Sequence, residues 1–376
     1  MLEMKGFEEF NLRNELIESI RGTGYSEPTE VQSMAIPIAL AGSDLVVRSK
    51  TGSGKTAAYL IPIINNTAKE KGIRALILLP TRELAVQVAK VSEALGKRSG
   101  IRTVVVYGGV SINKQIELIL RGANIIVGTP GRTLDLIDRG ILNFDKVSYF
   151  VLDEADEMLD MGFIEDIKKI INVLPVERQS FLFSATIPSE IIELAKGFMH
   201  NEEILFLSKD EVTVNGIDHN YAVSRRERKL RTLFSYIDKY KPEKSIIFSR
   251  TKAGANMIYE ALINHGQDAV IMHGDLTQAQ REKALYRFKN FGRFLVATNV
   301  AARGLDIGGI SDIINYDVPD DPRVYVHRVG RTARMGAAGR AFTIVEDREI
   351  GSIDMIRHEA RVKMKEIHLE TTRKNF

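Results

Sequence analysis

Eight residues, Ser49-Lys-Thr-Gly-Ser-Gly-Lys-Thr56, constrain this chain more than any other stretch. They follow a short strand-like run, Leu45–Arg48, and precede an apolar, helix-like one. A glycine turn there lets successive backbone N–H groups point at one anion, and the helix N-terminus adds partial positive charge. This is the strand–loop–helix setting of a phosphate-binding loop. In it Lys55 can reach the β- and γ-phosphates of a nucleotide, and Thr56 can ligate Mg²⁺. The usual pattern opens with Gly or Ala; here Ser49 is still small. The bland alternative, a chance Gly-rich turn, fits poorly with Gly-Ser-Gly-Lys-Thr in this context.

Such a loop belongs in a parallel α/β sheet, and the remaining pattern agrees. Short Val/Ile/Leu-rich runs without alternation read as strands buried on both faces: Leu45–Arg48, Ala75–Leu79, Thr103–Tyr107, Asn124–Val127, Tyr149–Leu152 and Ser180–Phe183. Between them lie helix candidates at Glu83–Leu95, Lys114–Leu120, Phe163–Val173 and Ser189–Phe198. The plan then repeats, with strands at Ser245–Phe248, Ala269–Met272, Phe294–Ala297, Asp312–Tyr316 and Ala341–Val345. Helices are expected at Arg226–Tyr240, Ala253–His265, Gln278–Asn290 and from Glu349 onward. Repeated βα units imply open sheets. The 376 residues suit two domains, which we expect at 1–208 and 217–376, with a polar linker at 209–216.

Composition excludes other classes. With 44% hydrophobic and 27% charged residues, the chain is neither disordered nor collagenous. It has no cysteine, so disulfides, thiolate catalysis and Cys-ligated metal sites are out. No apolar run approaches a membrane span, and the acidic opening residues predict no signal peptide. A cytoplasmic, monomeric protein with no membrane partner is expected. Charge is uneven: residues 1–208 hold 23 Lys and Arg against 27 Asp and Glu, residues 209–376 hold 29 against 22. A polyanion would favour the second half, although uneven solvated surface explains the same numbers.

Two further motifs carry chemistry. Asp153-Glu-Ala-Asp156 follows an apolar strand, where α/β sheets bind ligands. One carboxylate there can hold Mg²⁺ and the next can polarise a water. Alone, the run would read as an acidic first turn of a helix; beside a phosphate loop the catalytic reading prevails. Arg328, Arg331 and Arg334 are spaced by three. On one helix they would share a side, and like charges so placed call for an anion such as a γ-phosphate in transition. The alternatives are an exposed basic helix or an RNA-phosphate patch.

With these residues together, the chain resembles the DEAD-box ATP-dependent RNA helicases over essentially its full length. Phe7 and the run from Gly24 to Gln32 resemble the family's adenine-reading motif. The resemblance implies that Phe7 stacks on adenine, Gln32 bonds its edge and Thr29 supports the loop. It makes Ser49, Lys50, Thr51, Gly52, Ser53, Gly54, Lys55 and Thr56 the phosphate loop, with Thr56 and Asp153 on Mg²⁺ and Glu154 positioning the water. Asp156, Ser184 and Thr186 would tie the ATP site to RNA unwinding. Pro80, Thr81, Arg82, Gly109, Thr129, Pro130, Gly131 and Arg132 would touch the RNA backbone, as helix N-termini and arginines suit phosphates. In the second half Gly274 and Thr298 would touch RNA, and Asp306 would reach the ribose side of ATP. Arg303, His327 and Arg328 would organise the interface, with Arg331 and Arg334 as arginine fingers.

Three departures from the family pattern stand out: Ser49-Lys50 opens the phosphate loop, Asn299 stands where Asp is usual, and Ala333 where Gly is usual. The resemblance implies two tandem RecA-like α/β domains, each a mostly parallel sheet flanked by helices, binding ATP, Mg²⁺ and RNA without sequence preference. Rival readings are a DNA-directed helicase, an ATP-gated RNA clamp without unwinding, and a small-molecule kinase. The kinase reading leaves the second α/β half unexplained.

Overall fold

Among the described residues, fourteen strands form two separate sheets of seven. The structure is a computed structural model that describes residues 6–49, 52–68, 70–207, 216–302, 307–332 and 338–369. The chain divides into two units, Met1–Lys209 and Asp210–Phe376. Residues 209–215 of the expected linker lie outside the described residues.

The first unit holds β1 (Leu45–Arg48), β2 (Ala75–Leu78), β3 (Thr103–Val106), β4 (Ile125–Gly128), β5 (Tyr149–Asp153), β6 (Gln179–Ser184) and β7 (Glu203–Phe206). Its helices are α1 (Asn14–Gly22), α2 (Glu30–Leu40), α3 (Lys55–Thr67), α4 (Arg82–Gly96), α5 (Ile112–Leu120), α6 (Pro130–Asp138), α7 (Ala155–Asp160), α8 (Ile164–Ile171) and α9 (Ser189–Lys196). The sheet order is β3-β4-β2-β5-β6-β1-β7, and every pairing is parallel. Alternate residues of one strand enter opposite apolar layers: Val151 packs on one face of the sheet, Phe150 and Leu152 on the other. That two-sided burial is why these strands read as unbroken apolar runs.

The second unit holds β8 (Ile217–Val223), β9 (Ser245–Ser249), β10 (Ala269–Met272), β11 (Phe294–Thr298), β12 (Asp312–Asn315), β13 (Gly339–Val345) and β14 (Met364–Glu366). Its helices are α10 (Lys229–Tyr240), α11 (Lys252–Asn264), α12 (Gln278–Asn290), α13 (Asn299–Ala302), α14 (Pro322–Val329) and α15 (Ile350–Glu359). The order is β10-β11-β9-β12-β13-β8-β14, again all parallel. Strand for strand, this is the order of the first sheet.

Every strand expected from sequence is present, with ends within two residues. Three strands and several helices went unread. β7 is an exposed edge strand, β8 carries Asp218, His219 and Asn220 in its middle, and β14 is three residues long. β8 and β14 lack the unbroken apolar run that marks the rest; β7 does carry one, Ile204-Leu-Phe-Leu207, and went unread although the same signal was there. Because all strands are parallel, the motif loops of each unit gather at the carboxyl edge of its own sheet, the usual ligand edge of such folds.

Candidate functional site

At the carboxyl end of β1 the chain turns through Ser49, whose N–H donates to the Ser184 carbonyl at 3.0 Å. Ser49 and Ser53 hydroxyls bond at 2.8 Å. Lys50 and Thr51 lie outside the described residues. Gly52 and Gly54 have φ of 81° and 96°, a left-handed backbone that favours glycine. A Cβ at Gly54 would also sit 2.5 Å from the Gln32 amide nitrogen and 2.8 Å from the Thr29 hydroxyl. The adenine-motif residues therefore pack directly on the phosphate loop. Gln32 is buried; its Nε2 donates to the Gly54 carbonyl at 3.1 Å, and its Oε1 accepts from Thr29 N at 2.9 Å. One amide N–H and one carbonyl lone pair remain for a ligand. Phe7 is 2% exposed, packs edge-on to Phe10, and lines a cavity of about 280 Å³ with Gly24 and Tyr25.

Lys55 opens α3, and its Nζ lies 3.2 Å from Glu154 Oε1 in a buried pair. Glu154 has φ of 58°, a costly conformation for a residue with a side chain. Asp153, the last residue of β5, accepts from Tyr59 Oη at 2.9 Å and from Glu154 N at 2.9 Å. Asp156 accepts from Thr186 N and Thr186 Oγ1, both at 2.8 Å, and its own N–H donates to Ser184 Oγ at 3.1 Å. The acidic run and the Ser184–Thr186 loop are thus one hydrogen-bonded body.

Among the described residues, charge is not balanced there. Asp153, Glu154 and Asp156 are all buried, and all three act on the Lys55 ammonium. Burial alone would lower the Lys55 pKa, but the three carboxylates outweigh it and hold the ammonium charged. Burial raises the Asp153 carboxyl to about 6; Lys55 pulls it down and Glu154 pushes it up. A site with surplus negative charge fits a hard cation. Among the described residues no group of three metal-ligating side chains occurs. A hard cation such as Mg²⁺ would be held there through few protein oxygens plus phosphate and water, its usual mode. Tyr59 was not anticipated. Its signal was position: four residues after Lys55, it lies one turn along the same helix face.

The expected RNA contacts of the first unit also meet. Thr81 caps α4, accepting from Leu84 N at 3.4 Å, and Pro80 precedes it. A Cβ on Gly109, whose φ is 80°, would lie 2.2 Å from a terminal nitrogen of Arg82, so Arg82 lies across the β3 loop. Thr129, Pro130 and Gly131 begin α6. Arg132 donates to the Val110 carbonyl at 3.3 Å, reaching the same loop. Two helix N-termini and two guanidiniums thus share the carboxyl edge of β2, β3 and β4.

In the second unit, Gly274 faces Lys252, which ion-pairs with Asp275. Thr298 ends β11 and is buried. One expectation fails among the described residues: Arg328 and Arg331 do not share a helix. Gly330 follows the last helical residue, Val329, and α14 ends there. Arg328 is only 3% exposed and turns inward, donating to Asn299 Oδ1 and Asn315 Oδ1, each at 2.7 Å, and to the Asp317 carbonyl at 3.1 Å. Its guanidinium lies 4.9 Å from the Phe248 ring centre, and burial lowers its pKa to about 9, still charged at neutral pH. Arg331 sits in the turn after the helix, half-buried, and His327 lies within α14. Arg303, Asp306 and Arg334 lie outside the described residues, as does Ala333.

Comparison with known proteins bears on this geometry. Residues 29–194 match the DEAD/DEAH box helicase family model, and residues 225–336 match the helicase conserved C-terminal domain. The ATP-dependent RNA helicase CshA of Listeria monocytogenes is 42% identical over 98% of this chain and 71% of its own length. The DEAD-box ATP-dependent RNA helicase CshA of Geobacillus kaustophilus is 43% identical over 96% of this chain and 78% of its own. Among solved structures, S. cerevisiae Dbp5 bound to RNA and ADP BeF3 aligns with a TM-score of 0.87 at 33% identity, covering 97% of this chain and 96% of that one. Mss116p bound to ssRNA and AMP-PNP gives 0.88 at 27% identity, covering 98% and 80%.

Proposed function

Because this chain belongs to the DEAD-box ATP-dependent RNA helicases, we propose that it couples binding and hydrolysis of ATP to sequence-nonspecific RNA binding and local unwinding or remodelling. The observation that carries this reading is the single body formed by the phosphate loop, the acidic run and the Ser184–Thr186 loop. In it Lys55 is held by Glu154, and Asp156 is held by Thr186.

The phosphate loop and the N-terminus of α3 receive the phosphates. Lys55 exchanges Glu154 for phosphate oxygens, which frees Glu154 to orient the attacking water. Gln32 reads the adenine edge with its spare N–H and lone pair, and Phe7 and Thr29 shape that pocket. Thr56 and Asp153 hold Mg²⁺, which supplies neutralising charge at the phosphates. Arg331 and Arg334 stabilise the charge of the transferring group, Asp306 reaches the ribose, and Arg303, His327 and Arg328 support them. Asp156, Ser184 and Thr186 transmit the state of the nucleotide. RNA lies along Pro80, Thr81, Arg82, Gly109 and Thr129–Arg132 of the first domain, and along Gly274 and Thr298 of the second. No helix among the described residues is long and apolar enough to cross a membrane; we read the protein as a cytoplasmic monomer of two domains, 1–208 and 217–376.

The test is ATP turnover of the full chain alone, with RNA, and with DNA of equal length, followed by a duplex-unwinding assay. RNA-selective stimulation with strand separation is expected. Equal stimulation by DNA would overturn the choice of nucleic acid. Stimulation without separation would leave an RNA clamp.

A further inference from the structure

The charge excess of the second half is not used up by the motifs. Part of it gathers at the amino-terminal edge of the second sheet, opposite the loops just described. Three connections meet there: those entering β9, β10 and β11. Lys244 Nζ, just before β9, donates to the Lys289 carbonyl at the end of α12, 2.8 Å away. Arg293, just before β11, donates to the Pro242 carbonyl at 2.7 Å and to Gln267 Oε1 at 3.1 Å. Arg287 pairs with Asp268 at 2.8 Å. Among the described residues, Lys244, Lys289 and Arg293 have no carboxylate partner, although Glu243 lies exposed on the same edge.

Two large aromatic side chains stand out of the same stretch. Tyr286 is 66% exposed and Phe291 is 75% exposed. A lone exposed aromatic needs no explanation, but two within six residues, with Lys289 between them and Lys244 and Arg293 on the same edge, form the combination that single-stranded nucleic acid recognises. Burial, and then the neighbouring Lys289 charge, lower the Lys244 pKa, as expected of a cation that lacks its counter-ion.

We propose that this edge is an auxiliary RNA-binding surface, on which bases of single-stranded RNA stack on Tyr286 and Phe291 while phosphates meet Lys244, Lys289 and Arg293. It would engage a part of the strand beyond the segment held at the motif loops, and so tether the enzyme to longer RNA. The inference rests on RNA being the ligand of this chain.

The experiment uses the full chain with two oligouridylates. One is just long enough to saturate ATPase stimulation; the other is several times longer. The Tyr286→Ala/Phe291→Ala variant should bind the longer strand about thirtyfold more weakly, the lower range for loss of two base stackings. Binding of the short strand, and the ATPase it stimulates, should match wild type. Lys244→Gln/Lys289→Gln should lower the slope of log affinity against log salt by about 1.4 on the longer strand, about 0.7 for each cation lost. Variants that bind both strands like wild type would make the patch plain surface or a protein-docking face and overturn the proposal. Equal loss on both strands would overturn it too, because the patch would then not be separate from the main site. A wild-type chain that binds neither strand would instead remove the RNA reading itself.

Discussion

The two sheets share one strand order, and each unit places a lysine at the first residue of the helix that follows its first strand. In the first unit Lys55 opens α3 and reaches Glu154 beyond β5 at 3.2 Å. In the second Lys229 opens α10 and reaches Asp317 beyond β12 at 2.7 Å. β5 and β12 hold the same place in their sheets. What differs is the loop and the charge. The first lysine follows a glycine turn; the second follows Ser224-Arg-Arg-Glu-Arg228, which contains no glycine. Asp317 is well satisfied: besides Lys229 it accepts from Ser249 Oγ at 3.1 Å and Arg250 N at 2.8 Å. Burial would raise its pKa, but those bonds and Lys229 outweigh it and hold the carboxyl below its usual value. Asp153 is shifted the other way, to about 6. One scaffold thus carries a settled ion pair in one copy and an over-charged, ligand-seeking one in the other.

That contrast breaks first at the chemistry. Glu154→Gln should slow ATP hydrolysis by about 10²–10⁴-fold, the range of a positioned base, while ATP still binds. Asp317→Asn, at the matching place, should leave the hydrolysis rate of the folded protein within about threefold of wild type, because it touches no expected ligand group. Single-turnover kinetics on both variants would decide. Comparable losses of the chemical step would mean that the second pair is also part of the catalytic machinery.

Stability should separate them next, with opposite signs. Asp317→Asn weakens a partly buried pair with Lys229 and should cost about 2 kcal/mol. It should be measured by denaturant unfolding and localised by hydrogen exchange to β9 and β12. Asp153→Asn should instead stabilise the first unit by about 1 kcal/mol near pH 7.5, because it removes one of three crowded carboxylates. Its carbonyl can keep the Glu154 N–H, and its amide can donate to the Tyr59 hydroxyl. The pH dependences follow. A carboxyl raised to about 6 penalises the folded state above that pH and is relieved as pH falls toward its unfolded value near 4. The advantage of Asp153→Asn should therefore shrink between about pH 6 and 4. Asp317 is depressed, so its contribution is present above about pH 4 and is lost only below it. Asp153→Asn that destabilises at pH 7.5 would end the claim that the first site is over-charged.

The sequence disclosed the parts that depend on local chemistry. Gly52 and Gly54, Lys55 and the acidic run were readable because a phosphate loop needs those residues in that order. The paired cores were readable because strands buried on both faces leave unbroken apolar runs. Tyr59 sat inside an apolar helix run, where its place one turn after Lys55 was the one signal, and that spacing alone does not say that the hydroxyl meets a carboxylate. The fate of Arg328 was hidden as well. Spacing by three suggests a common face only while the helix continues, and Gly330 ends it. The repeated lysine–carboxylate pair could not be read at all, because Lys229 and Asp317 are brought together by strand order rather than by spacing.

The smallest effect expected concerns Asn299, where the family pattern has Asp. Arg328 Nε already donates to Asn299 Oδ1 at 2.7 Å, and Asn315 Oδ1 accepts from the same guanidinium at 2.7 Å. Both partners are neutral, and burial lowers the Arg328 pKa. Asn299→Asp would turn one neutral acceptor into a charged one at the same place. A charge-assisted bond is roughly twice as strong as a neutral one, but the new carboxylate must also leave water, and partial burial of Asn299 makes that cost comparable. The net gain should be no more than about 1 kcal/mol. It should depend on pH in the depressed-carboxylate sense: present above about pH 4, lost below it. The comparison between the units gives the sign. Adding negative charge to the first site would worsen a surplus; adding it beside Arg328 puts a directly bonded carboxylate next to a guanidinium that, among the described residues, Asp317 and Asp320 attract from beyond its hydrogen bonds. Thermal unfolding of Asn299→Asp at pH 7.5 and pH 3.5 would test this. A rise in Tm at the higher pH only is expected, and a fall at pH 7.5 would mean that desolvation of the new carboxylate exceeds its attraction to Arg328.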